Sequence, residues 1–161
     1  MENTIVIRHQ VIPVATDFEN FTYNLEKYLG LLSPEIMGSL SDDAASVVGF
    51  LENLGGDGEL VLFNIIEHGE LLRLKGKPTK AKQYQVGNPI IALKMTQRDI
   101  RAGLYAPLRM LVYENEDRKV VVEYDLPSSV FGQLNDEKIT AIAKTLDDKL
   151  FNLIKIADLS E

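Results

Sequence analysis

The chain has no cysteine and only two histidines in 161 residues. The absence of cysteine excludes a disulfide framework and thiolate metal sites. His9 and His68 are far apart and show no His-x-x-x-His spacing, so the expectation is no metal and no cofactor. No apolar run approaches the roughly 20 residues that span a bilayer, and no membrane partner is expected. Met1-Glu2-Asn3-Thr4 lacks a basic leader, so the expectation is a cytoplasmic chain without a signal peptide. Phosphate-loop chemistry is missing too. Gly55-Gly56-Asp57-Gly58 lacks the Gly-Lys-Ser/Thr ending, its aspartate would repel phosphate, and it reads as a loop. No Gly-x-Ser-x-Gly elbow surrounds Ser128 or Ser129, which read as caps rather than nucleophiles.

Acidic residues nearly vanish from one stretch. The net charge is −7, yet residues 73–109 carry 9 Lys/Arg against 1 Asp/Glu. Residues 1–72 carry 2 against 12, and residues 110–161 carry 6 against 11. A basic segment in an acidic chain attracts a small anion or an acidic neighbour, or it pairs with the acidic ends of its own fold. Nucleic acid is not expected as a partner. The chain is acidic overall, and the segment's only aromatics are Tyr84 and Tyr105.

What remains is an ordinary globular mixture, 45% hydrophobic and 25% charged, long enough for one domain with a real core. Thr4 to Pro13 reads as a first strand. Thr16-Asp17-Phe18-Glu19 reads as a capping box with Thr16 as the cap, followed by a helical stripe of Phe18, Phe21, Leu25 and Leu29. Ser33-Pro34 and Ser41-Asp42-Asp43 read as further helix starts, the second helix ending at Gly55-Gly56. The acidic pair Asp42-Asp43 suits a helix N-terminus and needs no chemistry. Leu60 to Ile66 is apolar on both faces and reads as a central strand. His68 to Leu74 reads as one or two helical turns stopped by Gly76 and Pro78. Thr79 to Val86 is a third strand, and Gly87-Asn88 turns it into a helix beginning at Pro89. Residues 97–107 look irregular. Leu108–Glu114 and Lys119–Asp125 form an antiparallel hairpin. A last helix starts near Asn135-Asp136-Glu137 and buries Ile139, Ile142, Leu146, Leu150, Leu153 and Ile154. The expected class is α+β, a single domain with a small mixed or antiparallel sheet of about five strands flanked by helices.

The densest run of unusual residues lies between Glu67 and Ser129. Glu67-His68 follows a strand, Gly87-Asn88-Pro89 opens a helix, and Ala106-Pro107-Leu108-Arg109 leads into Met110-Leu111-Val112-Tyr113-Glu114. Tyr124-Asp125-Leu126-Pro127 closes the series. In this ordered combination the chain resembles the domain-of-unknown-function family 302, over roughly residues 42–155. The family usually shows Asp before the histidine and often Leu before the later proline, where this chain has Glu67 and Ala106. The resemblance implies a small sheet covered by helices and a homodimer. It implies no activity. Residues 1–40 then read as an N-terminal strand and helix extension packed on a core domain of residues 41–161.

Four junction residues are the candidate binding set: His68, Asn88, Arg109 and Tyr124. His68 can act as an acid or base, with Glu67 beside it, or serve its local helix. Asn88 suits a helix cap and Pro89 the first helical position, and the free N–H groups of that helix start can bind an anion. Gly87 would let a ligand approach the backbone. Arg109 can clamp a carboxylate or phosphate, or pair with Asp125 or Glu123 on the next strand. Lys80, Lys82 and Tyr84 alternate onto one strand face, where lysines are the ordinary guard of an exposed edge. His9 has no motif around it and reads as structural. The reading taken forward is a small-molecule binding domain for a possibly anionic ligand, with the four residues around one concave surface. The alternatives are a structural homodimer module and an acid–base enzyme using His68.

Overall fold

The computed structural model describes residues 2, 4–32, 49, 51, 54 and 60–159. Among them, six strands form one sheet in the order β1-β6-β5-β4-β3-β2. The strands are β1 (His9–Val14), β2 (Gly30–Leu31), β3 (Val61–Ile66), β4 (Ala81–Gly87), β5 (Leu108–Glu114) and β6 (Val120–Asp125). The β2–β3 pair is parallel and the other pairings are antiparallel, giving the expected mixed sheet with one strand more than expected. The extra strand, β2, has two residues, too short for a period-2 pattern to reveal it. β1 starts at His9 rather than Thr4, where pairing with Asp125 begins.

Helix α1 (Phe18–Tyr28) and the long C-terminal helix, α5 (Glu137–Leu159), supply the main layer over one face of the sheet. Because side chains alternate along a strand, Tyr84, Met110 and Tyr124 form one cross-strand row on this face. Phe21 and Leu25 of α1 and Ile139, Leu146, Leu150, Leu153 and Ile154 of α5 close over it, all within one buried cluster. Ile142, expected in the core, is only partly buried at its edge. The opposite face carries Gln83, Gln85, Arg109, Glu123, Asp125 and His9, the polar side of a half-covered antiparallel sheet.

The turn chemistry departs from expectation at one cap. Asp17, not Thr16, caps α1, and its carboxylate accepts from Asn20 N at 3.0 Å. Thr16 instead donates its hydroxyl to the Asp158 carbonyl, while the Asp158 carboxylate accepts from Ala15 N and Thr16 N. The end of α5 is thus tied to the turn before α1. Asp136 caps the start of α5, accepting from Lys138 N and Ile139 N and from Arg98 through both oxygens. The Arg98 guanidinium first, then the backbone N–H groups, hold this carboxyl down at about 2. The β5–β6 turn is set by the Asn115 side chain, which accepts from Asp117 N and Lys119 N, with Arg118 at φ 60°. Residues 97–107, expected to be irregular, include a 3-10 helix (Ile100–Tyr105) capped by Asp99. The helix starts expected at Ser33-Pro34 and Ser41-Asp42-Asp43, and the glycine loop at 55–58, lie outside the described residues.

The basic stretch is largely accounted for within the fold. Lys80 pairs with Glu19 and Glu114, Lys82 with Glu26 and Glu67, and Arg73, Arg98 and Arg101 with Glu70, Asp136 and Asp99. Five of the nine cations are therefore internally paired. Lys80, just before β4, and Lys82 within it are not edge guards, because β4 lies between β5 and β3. They sit on the helix-covered face, opposite the acidic side of α1.

Candidate functional site

Helix α2 (His68–Arg73) follows β3 directly, as expected. Glu67 precedes it without a side-chain capping bond and turns to Lys82, 3.4 Å away. His68 is half-buried at the first position. Gly69 has a geometric reason: an added Cβ would stand 2.5 Å from the Thr79 carbonyl oxygen and 3.0 Å from Ala81 N. The Glu67-His68-Gly69 run thus lets α2 lie against the backbone entering β4.

Asn88 caps α3 (Pro89–Thr96) with its side-chain oxygen, which accepts from Ile90 N at 2.9 Å and Ile91 N at 3.0 Å. The first free N–H groups of that helix are therefore engaged by the cap. Helix α3 is apolar on nearly every side, reading Pro-Ile-Ile-Ala-Leu-Lys-Met-Thr, yet only Met95 is buried. A helix of that composition is ordinarily buried all round. Here Ile90, Ile91, Ala92 and Leu93 line an open cavity of about 540 Å³, walled further by Leu51, by Phe63 and Gly87 of the sheet, by Pro107, and by Phe131 and Leu146 of the core. The polar side chains in its wall are Asn88 and Thr96. Both are turned to the helix itself, Thr96 donating to the Ala92 carbonyl at 3.0 Å.

A second cavity of about 490 Å³ lies on the other side of the Ala106-Pro107-Leu108 segment, whose Ala106–Pro107 peptide is cis. Gln85, Tyr105, Arg109 and Asp125 contribute its polar wall, and Ile7, Leu104 and Val130 its apolar one. Arg109 is exposed, and its guanidinium makes no hydrogen bond or ion pair with the described residues. Neither carboxylate proposed as its partner is taken by it. Asp125 and Glu123 instead flank His9, at 2.8 Å from Nδ1 and 3.1 Å from Nε2. Those two bonds, that to Asp125 the stronger, raise the His9 pKa above its ordinary value. The structural role expected for His9 is thus a cross-strand clip.

The four candidate residues do not surround one concave surface. Gln85 pairs with Arg109 and Met110 with Tyr124, so Arg109 and Tyr124, one position out of step, point to opposite faces of the sheet. Tyr124 is buried at 4% exposure in the core row, where burial, and then the Asp147 charge, raise its pKa. Asn88 lines the first cavity, Arg109 the second, and His68 and Tyr124 neither. The hydroxyls of Ser128 and Ser129 accept from Arg8 Nη2 and Arg8 N, pinning the segment before β1 to α4 (Pro127–Phe131). The residues that sequence reasoning missed are Phe63, Ile90, Ile91 and Leu93. For the three α3 residues the signal was a run after Pro89 apolar on nearly every helical side, which amphipathic periodicity does not flag. Among the described residues no group of three or more His, Asp or Glu side chains is placed to hold a metal. No described helix is long and apolar enough to cross a membrane.

Two comparisons with known proteins bear on this architecture. The crystal structure of an uncharacterised conserved protein DUF302 from Bacillus stearothermophilus is similar to it. Its TM-score is 0.67 at 18% identity, over 92% of this chain and 97% of that one. At that identity the likeness speaks for the fold. No curated protein matches the chain. The family model described as domain of unknown function DUF302 matches residues 39–157, most of the chain, and spans β3 to α5 with both cavities' principal walls. The chain belongs to the DUF302 family.

Proposed function

We propose that this domain binds a small, predominantly apolar molecule in the cavity between α3, Phe63 and Pro107. One observation carries the reading: an eight-residue helix apolar on nearly all sides whose only buried member is Met95, with Ile90, Ile91, Ala92 and Leu93 lining an open cavity while Ile90 and Ile91 also pack against the core. The volume of about 540 Å³ falls in the range of small-molecule sites, which are concave and mostly apolar. Burying a ligand there removes apolar surface on both partners from water, worth about 25 cal/mol per Å². Among the described residues the wall is apolar apart from Asn88 and Thr96 and carries no cationic side chain, so the ligand class is neutral and apolar.

The test is fluorescence titration with the neutral dye N-phenyl-1-naphthylamine. The expected result is saturable enhancement with one site per chain, lost in Ala92→Phe, which fills the cavity from α3. Circular dichroism and urea denaturation establish that the variant is folded. Dye binding that is undiminished in folded Ala92→Phe, or no enhancement in the parent protein, overturns the proposal.

A further inference from the structure

We infer that the second cavity, built around Arg109, binds an organic monocarboxylate carrying a small apolar body. This site is separate from the apolar cavity, and the inference stands or falls independently of it.

Three side chains with hydrogen donors line this cavity, and the side-chain polar atoms of none are bonded to the described residues: the Arg109 guanidinium, the Gln85 amide and the Tyr105 hydroxyl. Arg109 and Gln85 are direct cross-strand neighbours, so their side chains rise from the same face of the sheet about 5 Å apart at Cβ. Their unmet capacity contrasts with the neighbouring cations Lys80, Lys82, Arg98 and Arg101, each of which has a carboxylate partner. Arg109 also has a carboxylate within one strand of it. Asp125 lies one step beyond the Met110–Tyr124 pair, directly across from Arg109 in the ladder. That carboxylate is held by His9 at 2.8 Å instead. The clip on β1 therefore leaves the guanidinium available to an incoming anion. A planar guanidinium takes a carboxylate through two parallel N–H···O bonds, and Gln85 and Tyr105 supply further donors beside it.

Two features narrow the anion. Asp125 stands on the rim of the cavity, and a second negative charge on the ligand would meet it, so a monoanion is favoured over a dianion. Ile7 and Leu104 form the outer wall at 39% and 78% exposure, apolar surface that a ligand body would cover. Inorganic phosphate is partly a dianion at neutral pH and has no apolar body. A short carboxylic acid with an aromatic or branched alkyl body meets both requirements.

The experiment is a 1H–15N NMR titration at low salt with phenylacetate, with 2-phenylethanol as its neutral counterpart and inorganic phosphate as an anion without an apolar body. Phenylacetate should shift the amides of Gln85, Leu104, Tyr105 and Arg109 saturably in the millimolar range. Arg109→Gln, an exposed change, should weaken binding by about tenfold or more, the loss of a charged hydrogen-bonded contact. Tyr105→Phe should weaken it less. The alcohol and phosphate should each bind about tenfold weaker than phenylacetate. Unchanged affinity in Arg109→Gln, phosphate binding as tightly as phenylacetate, or no saturable shift overturns the inference. Shifts centred on residues 90–96 would place the probe in the apolar cavity, overturning the Arg109 site while leaving the apolar reading intact.

Discussion

Gly87→Ala should stabilise this protein, and the size of the gain follows from three distances. Gly87 is buried at the end of β4, with a φ outside the left-handed region that would demand glycine. A Cβ added there would stand 3.6 Å from Phe63 Cε2 and 4.0 Å from Pro107 Cα and Cβ. These are ordinary van der Waals separations, so no neighbour has to move. Removing the conformational freedom of glycine from the unfolded chain contributes about 0.4–1 kcal/mol. Burying the new methyl against Phe63 and Pro107 adds at most about 0.8 kcal/mol, less because one side of it faces the cavity. The sum is about 1 kcal/mol, or about 2–4 °C in melting temperature for a domain of this size. Urea denaturation followed by far-ultraviolet circular dichroism measures it, with an unchanged m-value expected. A lower midpoint than the parent protein would refute the reasoning, because it would mean that Phe63 and Pro107 leave no room for a methyl group. The same methyl enters the wall of the apolar cavity, so a gain in stability with weaker dye binding is the combination that ties Gly87 to a ligand.

Gly69→Ala should act in the opposite direction, losing about 1–3 kcal/mol, because its Cβ would meet backbone at Thr79 and Ala81 that cannot turn aside; parental stability would refute this close approach. Tyr84→Phe should lose about 1–2 kcal/mol in urea denaturation, since a fully buried phenol donates to Glu26 Oε1 at 2.7 Å and the carboxylate keeps only Lys82 and water afterwards. His9 should titrate above its ordinary 6.5 in NMR spectra, because the bonds to Asp125 and then Glu123 favour the imidazolium. Its contribution to stability is fully present below pH 6.5 and is lost as pH rises through the folded-state value, so His9→Ala should remove a small, salt-sensitive increment on the acidic side only; a His9 titration at or below 6.5 would show that the clip does not form.

Much of the framework was written in local sequence. The apolar periodicity of residues 137–159, the hairpin around Asn115-Glu116-Asp117-Arg118, the helical turns after His68 and the Asn88-Pro89 helix start all arise where expected. Each depends on interactions within a few residues: a cap, a fixed φ, or one face of a helix meeting a core. The short strand β2 and the choice of Asp17 over Thr16 as a cap were not legible, since the first depends on a partner strand and the second on Asp158 at the far end of the chain.

The site shows the same division more sharply. The residue types that bear chemistry, and their positions at junctions between elements, could be read from the order of the chain. Which of them share a surface could not. That depends on strand register, because one step along a strand reverses the face on which a side chain stands. Register places Tyr124 in the core row with Met110, and Arg109 beside Gln85 on the opposite face. Only the tertiary pairing of His9 with Asp125 and Glu123 showed that these two carboxylates are not partners of Arg109, which has none among the described residues. The basic charge of residues 73–109 was plain in the composition, but its disposal required contacts across the fold, from Glu19 and Glu26 of α1 to Asp136 before α5. Local sequence determines what each segment can do, through propensity, capping and pattern. Long-range packing determines which segments meet, and with them which charges find a partner in the fold.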